Sequence, residues 1–481
     1  MRRPHVIALA LIVAVVLAVF GQTLSFDFVS FDDAIHVRNN PHVFSPDFFA
    51  ASFWIQPEIG YSVTLPTLTY ALNHALHELE PAGYHLTNVL IHALNAALAF
   101  FLLERLGLKR PLAIVAALLF ALHPVVAEPV SWITGRKDLL ATSFALGALI
   151  VWLEPTLTLR RIVVANILFA LAALSKPSVF ALPLFLVFYD RFVAHRGSLQ
   201  RAALAITPAI AIAVALGIAA ALSSSLDLAI DPARAAPFPL RVFRSLGHRL
   251  ASLLVPTDHH PYYLLKPATW FEPATILGMS FVALIVALAA NWAFRASRAF
   301  PLVVLGAISY APISNIIPLV HEVGDSHLYL PLVSVAGLVA LGLGEITERL
   351  KPALRITAFA ALPVAFIPLT LAQSAIWRDS VTLWSHELEA YPQSARVCHH
   401  LAGAFALRGE PHVALAHLER CAVDQESRVE LLPSLAAAAA QARDREKYFS
   451  IMREMVEHRP DHPSSKQFRD RYGGKLPGVS R

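Results

Sequence analysis

The chain has 481 residues, 56% of them hydrophobic and only 15% charged, and its mean hydropathy is +0.56. Soluble domains are nearer a quarter charged, so the composition excludes an ordinary soluble enzyme and indicates a polytopic membrane protein. The formal net charge of +5 is no sign of nucleic-acid binding, because lysine and arginine in such a protein mark cytoplasmic loops.

In chain order, apolar runs broken by polar or proline-bearing joints predict helical spans at 5–24, 84–106, 111–123, 139–153, 162–175, 177–190, 202–222, 274–294, 299–317, 328–346 and 353–374. That is about eleven, several of them short for a 30 Å hydrocarbon core. The first run reads as a retained span: its apolar core is longer than a signal-peptide h-region and lacks a clear small-x-small site. Basic pairs such as Lys109–Arg110, Arg160–Arg161 and Arg349/Lys351 fall in alternate loops, on the same side as Arg2 and Arg3. The N-terminus is then cytoplasmic, and the region after about residue 375 lies outside. Two long external loops are expected at 25–83 and 223–273, and long loops are uncommon unless functional.

Directly after the first span comes "SFDFVSFDDAIHVRNNPHV". Asp32 and Asp33 are adjacent, framed by aromatics. Two like charges at a membrane surface repel each other and add nothing to packing, which points to chemistry. The plainer reading is that "SFDD" caps a short helix beginning near Ala34. The second span opens "GYHLTNVLIHALNAALAF", where His85, Asn88, His92 and Asn95 recur at spacings of 3, 4 and 3. That spacing puts them within one narrow arc of a helix, facing either a cavity or another helix through hydrogen bonds.

"FALHPVVAEPVSWITGRKDLLA" gathers His123, Glu128, Arg136, Lys137 and Asp138 on the external side. The pattern is not a zinc motif, so no metal site is assigned. It reads as a salt-bridged interfacial loop, or as an anion pocket in which Arg136 or Lys137 meets a phosphate. Lys176 in "LSKPSVFALP" either snorkels to the headgroups or grips a lipid phosphate. "HRLASLLVPTDHHPYYL" offers Arg249, His259, His260, Tyr262 and Tyr263; "SNIIPLVHEVGDSHLYLPL" offers His321, Asp325, His327 and Tyr329. No glycine-rich phosphate loop, dinucleotide fingerprint or serine nucleophile elbow stands out.

From residue 376 the pattern turns amphipathic. "ARVCHHLAGAFALRGEPHVALAHLERCAVDQ" reads as two helices joined at "RGEP", with Leu401, Ala402, Phe405, Gly409, Ala414 and Leu418 at tetratricopeptide-repeat spacing. A small helical domain is expected over 376–472, followed by a loose tail at 473–481. In that hairpin Leu401 lies level with Leu418 and Phe405 with Ala414. The chain's two cysteines, Cys398 and Cys421, fall one turn further along. They are a disulfide candidate if the domain is outside, or two packed thiols if not.

Taken together, "FVSFDDAIHVRNNPHV", "GYHLTNVLIHALNAALAFFLLERL", "FALHPVVAEPVSWITGRKDLLA", "LSKPSVFALPLFLVFYD" and "SNIIPLVHEVGDSHLYLP", ahead of a tetratricopeptide-like region, resemble the transmembrane and tetratricopeptide-repeat O-mannosyltransferases and their bacterial relatives. The likeness covers nearly the whole chain in the same order. It implies an all-α polytopic protein of the type C glycosyltransferase class: a membrane domain over 1–375 and the small helical domain after it. It implies transfer of a sugar, such as mannose, from a polyprenyl-phosphate-linked donor to a protein or glycan hydroxyl on the external face of a bacterial inner membrane. Asp32 and Asp33 match the acidic motif that the class carries at its catalytic centre. His85, His123, Glu128, Arg136 and Asp138 match other family motif positions.

The chain departs from the family at Lys176-Pro177, where Lys-Glu is usual, and at Asp325-Ser326-His327-Leu328-Tyr329, where Asp-Arg-Tyr-Leu-Tyr is usual. The missing arginine leaves Lys176, Arg136 and Arg249 as candidates for the donor phosphate. The resemblance implies no obligatory cofactor and leaves room for a divalent cation; the partners are the lipid-linked sugar, the acceptor and membrane lipid, with no nucleic acid. Two rival readings remain: a non-catalytic membrane scaffold that recruits partners through the helical domain, and a transporter of lipid-linked sugars.

Overall fold

The structure is a computed structural model that describes residues 3–47, 53, 63–196, 206–212, 214–215, 236–257, 259–265, 267–291, 297–319 and 322–472. Among the described residues every regular element is helical. The chain separates into two compact units: residues 1–28 with 32–377, and residues 29–31 with 378–481.

Among the described residues of the first unit, four helices are long and apolar enough to cross a membrane: Arg3–Ser25, Pro81–Arg105, Pro273–Ala290 and Pro352–Arg378. A fifth span arises if Arg110–Leu122 and Pro124–Ser131, bent by 53° at His123, count as one. The helices Arg136–Trp152 and Leu159–Ser175 have 17 residues each, about 25 Å at 1.5 Å per residue. Ala299–Tyr310 and Pro331–Ile346 are shorter still. Most of the expected span 202–222, His321 and the tail 473–481 lie outside the described residues.

Packing follows the logic of a lipid-facing bundle. On the Pro81–Arg105 helix His85, Asn88, His92 and Asn95 are buried, while Leu86, Leu90 and Leu94 are exposed. Polar groups turn inward because hydrocarbon offers them no partners, whereas lipid accepts leucine. The first helix buries Ala8, Ile12 and Val16, spaced by four, in the same apolar core.

Two helices fall inside the expected external loops. Thr64–His77 buries Thr64, Thr67, Tyr70 and Asn73 and exposes Leu68, Leu72 and Leu76, again apolar side out. Leu240–Leu254 packs on Pro273–Ala290 backbone to backbone. A Cβ on Gly247 would meet the Ala274 backbone, and one on Gly278 the Phe243 backbone. Loop composition conceals both helices, since each carries its polar face toward protein.

The second unit holds six helices, Ser380–Ala390, Ala395–Leu407, Pro411–Cys421, Gln425–Gln441, Arg445–His458 and Pro463–Tyr472. Side chains of Asp379, Ser394, Asp424 and Asp444 accept from backbone N–H groups at four of the starts, satisfying donors that a helix N-terminus leaves open. Gly409, at φ +81°, makes the turn between the second and third helices, a conformation costly for any residue with a Cβ. Residues 29–31 cluster with this unit: Ser30 N donates to Ser380 Oγ at 2.8 Å, and Trp384 Nε1 donates to Ser30 Oγ at 3.2 Å.

Cys398 and Cys421 face each other across the hairpin with Cα atoms 6.3 Å apart and are joined as a disulfide. Closing a loop of 23 residues stabilises the unit by about 3 kcal/mol in the chain-entropy model. Protein purified from an oxidising compartment should take up alkylating reagent at these residues only after reduction. Intact mass with and without reductant checks this, and two thiols free without reductant would show the pair merely packed.

Candidate active site in the first unit

The acid pair sits just after the first helix. A turn at Asp32 leads into a π-helical turn, Ala34–Arg38. The two carboxylates have different surroundings. Asp33 is fully buried, and its Oδ1 accepts from Thr134 N at 3.1 Å and from the Thr134 hydroxyl. Asp32 keeps 38% of its side chain exposed and faces Lys137 Nζ at 3.6 Å. That distance is an ion contact rather than a hydrogen bond, so the Asp32 oxygens remain able to accept from a ligand. Lys137 also lies over the Trp132 ring, 4.5 Å from its centroid. His36 is buried beside them. Burial lowers its pKa to about 4, Lys137 pushes the same way and Asp32 opposes, so the ring is neutral at pH 7.

The opposing loop, 128–138, is fixed by buried hydrogen bonds. Asn88 donates to the carbonyls of Trp132 at 3.0 Å and Ile133 at 3.2 Å. Gly135 lies so close to Pro129 that a Cβ would come within 2.5 Å of its carbonyl oxygen. Arg136 is fully buried. Its guanidinium donates to Asn88 Oδ1 at 2.7 Å, to the Tyr84 carbonyl at 2.8 Å, and to Asn73 and Thr69, and it stacks on Tyr70 at 4.7 Å. The anion-pocket expectation for Arg136 therefore gives way to a scaffold function, because protein acceptors already occupy the fork.

Arg249, the other arginine considered for the phosphate, also meets protein acceptors, while its Nε has no hydrogen-bond partner among the described residues. At 1% exposure it donates to the carbonyls of Ile313 at 2.7 Å and Glu322 at 3.1 Å and to His327 Nδ1 at 3.0 Å. Tyr329 is a latch: its hydroxyl meets His92 Nδ1 at 2.6 Å and Asn95 Nδ2 at 3.2 Å. Of the helical arc, Asn88, His92 and Asn95 thus serve interhelical bonding. His85 differs: it is 1% exposed, its two ring nitrogens have no hydrogen-bond partner among the described residues, and its ring lies 6.1 Å from Phe26. His123 caps the bend, accepting from Val125 N at 3.2 Å while Nε2 donates to the Leu253 carbonyl at 3.1 Å.

A second ionic group lies beyond Lys137. Asp138, its neighbour in the first helical turn, points about 100° away and binds Lys176 Nζ at 2.5 Å. Glu128 has Asp138, Lys176 and Asp325 as charged neighbours. Asp325 accepts from His259 Nδ1 at 2.7 Å and from the Tyr263 hydroxyl at 3.0 Å. The structure thus gives weight to Thr134, Lys137, His36, His259 and Asp325. Lys137, His259 and Asp325 stand in stretches whose composition flags them; a loop threonine such as Thr134 carries no sequence signal at all.

Membrane-length apolar helices with buried polar arcs define an integral membrane protein, and a half-exposed carboxylate set against a lysine lies on the loop after the first of them. The chain's homologues are protein O-mannosyl-transferases. One from Caenorhabditis elegans is 28% identical over 431 residues, 82% of this chain and 59% of that protein. TMTC3 of Mus musculus is 25% identical over 457 residues, 82% of this chain and 48% of its own. Human TMTC3 is 33% identical over 180 residues, a third of this chain. The chain therefore spans roughly half to three-fifths of the length of the first two relatives. No family model matches it. Among solved structures, a crystal structure of the Archaeoglobus fulgidus oligosaccharyltransferase complex with Zn and sulfate covers 98% of this chain and 57% of its own at 11% identity, with a TM-score of 0.31, too distant to bear on the fold.

Proposed function

We propose that the chain is a type C membrane glycosyltransferase that moves a sugar from a polyprenyl-phosphate-linked donor to a hydroxyl of a protein or glycan at the external face of the membrane. The observation that carries this reading is Asp32, a carboxylate held beside Lys137 and open to a ligand on a loop that follows a membrane-length helix. The homologues' name supports mannose as the sugar. The positive-inside pattern supports a cytoplasmic N-terminus and an external second unit, whose helical hairpins suit a tetratricopeptide-like domain.

Transfer needs a base for the acceptor proton and stabilisation of the departing phosphate. Asp32 is the base in this reading: it takes the hydroxyl proton as the acceptor oxygen attacks the anomeric carbon and the sugar–phosphate bond breaks. Asp33 holds the loop to Thr134. Lys137, beside the half-exposed Asp32, is the cation assigned to the phosphate in this reading; Lys176 is ion-paired with Asp138 and the Arg136 fork is taken by protein acceptors. A lipid-borne donor places its scissile bond at headgroup depth, which accounts for acids at the end of a span. No step is assigned to a divalent cation.

The test is transfer by the purified protein in lipid vesicles, with radiolabelled polyprenyl-phosphate sugars offered one at a time. Label should move from the lipid phase to a protein or glycan acceptor for one donor. Label that stays on lipid with every donor, or that merely crosses the bilayer, would overturn the reading in favour of a scaffold or a transporter.

A further inference from the structure

The His259–Asp325 pair does nothing in the mechanism above, yet it is a built site. Both side chains are 2% exposed. The 2.7 Å contact sets a proton on His259 Nδ1 against the Asp325 carboxylate, and in that tautomer of the imidazole Nε2 is an acceptor. Tyr263 orients the carboxylate by donating to both of its oxygens, at 3.0 and 3.1 Å. Gln373 fixes the backbone by donating to the His259 carbonyl at 3.0 Å. His259 Nε2 itself has no hydrogen-bond partner among the described residues, and neither has Asp138 Oδ2, on a side chain that is 5% exposed. Glu128 links the two, with Asp325 and Asp138 both among its charged neighbours; His123 is a further titratable group within electrostatic reach of His259.

Two buried acceptors without donors are costly unless something supplies donors. The chemistry of the cluster narrows the choice. His259 Nε2 and Asp138 Oδ2 call for proton donors, and a phosphate oxygen supplies none, so a phosphate does not fit these two atoms. Among the described residues this cluster brings no three side-chain ligand atoms together, which does not favour a cation. A neutral ligand rich in hydroxyl donors meets both conditions. The geometry points to a subsite for sugar hydroxyls, in which His259 Nε2 accepts from one hydroxyl of the donor sugar and Asp325 holds the ring in that tautomer. His259 is on this account a specificity-determining residue, resting on the transferase reading and adding to it where the sugar is read.

The experiment pairs the enzyme with donors that lack one hydroxyl each. Polyprenyl-phosphate mannose and its 2-, 3-, 4- and 6-deoxy forms are assayed with the wild type and with His259→Ala and Asp325→Asn. In the wild type one deoxy donor should lose roughly ten- to a hundredfold in kcat/KM. His259→Ala should lose a similar factor with the parent donor and no longer distinguish that deoxy form from it. The ratio is taken within one preparation, so a smaller folded fraction cancels. Unchanged discrimination by His259→Ala against every deoxy donor would overturn the inference. If the wild type transfers no sugar, the transferase reading falls by itself. The subsite is then measured by saturation-transfer NMR with methyl mannoside: binding lost in His259→Ala supports it, and equal or absent binding in both proteins overturns it.

Discussion

Asp32→Asn should lower sugar transfer by about 10²- to 10⁴-fold, the range expected for loss of a positioned general base, and leave thermal stability nearly unchanged. The half-exposed carboxylate makes a single loose ion contact, with Lys137, so an amide of the same shape disturbs little packing but cannot take a proton. Asp33→Asn should be milder, because an amide oxygen can still accept from Thr134 N. Asp33→Leu should raise KM and lower kcat together by releasing the loop. Steady-state assays on the three variants, with melting curves alongside, separate these outcomes. Full activity in Asp32→Asn would remove it from the reaction; a larger loss in Asp33→Asn than in Asp32→Asn would exchange their roles.

Arg136→Met should cost about 3–5 kcal/mol, the range for breaking a buried charged network by removing one partner. Asn88, Asn73 and the Tyr84 carbonyl would each lose a donor at a buried site. Arg136→Lys should recover only part, because an ammonium lacks the planar fork that reaches these acceptors at once. A large fall in melting temperature, with transfer lost as the loop unpins, is the expected result. A variant as stable as the wild type but unable to hold the lipid donor would instead make Arg136 a phosphate ligand.

Both expectations turn on environments that one-dimensional patterns do not carry. The spacing of His85, Asn88, His92 and Asn95 puts them on one face, because side chains three and four apart share it. It does not tell which of them meet partners across the bundle: Asn88 holds Arg136 and His92 and Asn95 hold Tyr329, while His85 faces Phe26 and the backbone of Asp27. In the same way Asp32 and Asp33 are equals in the sequence. One residue of rotation along the turn puts Asp33 against the Thr134 amide and leaves Asp32 outward.

Composition and apolar run length by themselves determined the membrane class, the helical character and the inward direction of the polar arc, since hydrocarbon forbids unpaired polar groups whatever the topology. Residue level in the antiparallel hairpin set Cys398 opposite Cys421, a local matter of helical rise. Only the tertiary structure decided what each cation faces: Lys137 faces Asp32 and Lys176 faces Asp138. Arg136 and Arg249 look as available as Lys137 and Lys176 in the sequence, yet the two arginines are buried among carbonyls and amides from segments 48 to 73 residues away. It also brought His259 to Asp325 across 66 residues. Such pairings depend on how distant segments pack, and the free energy that selects them is spread over the whole core rather than written in any local motif.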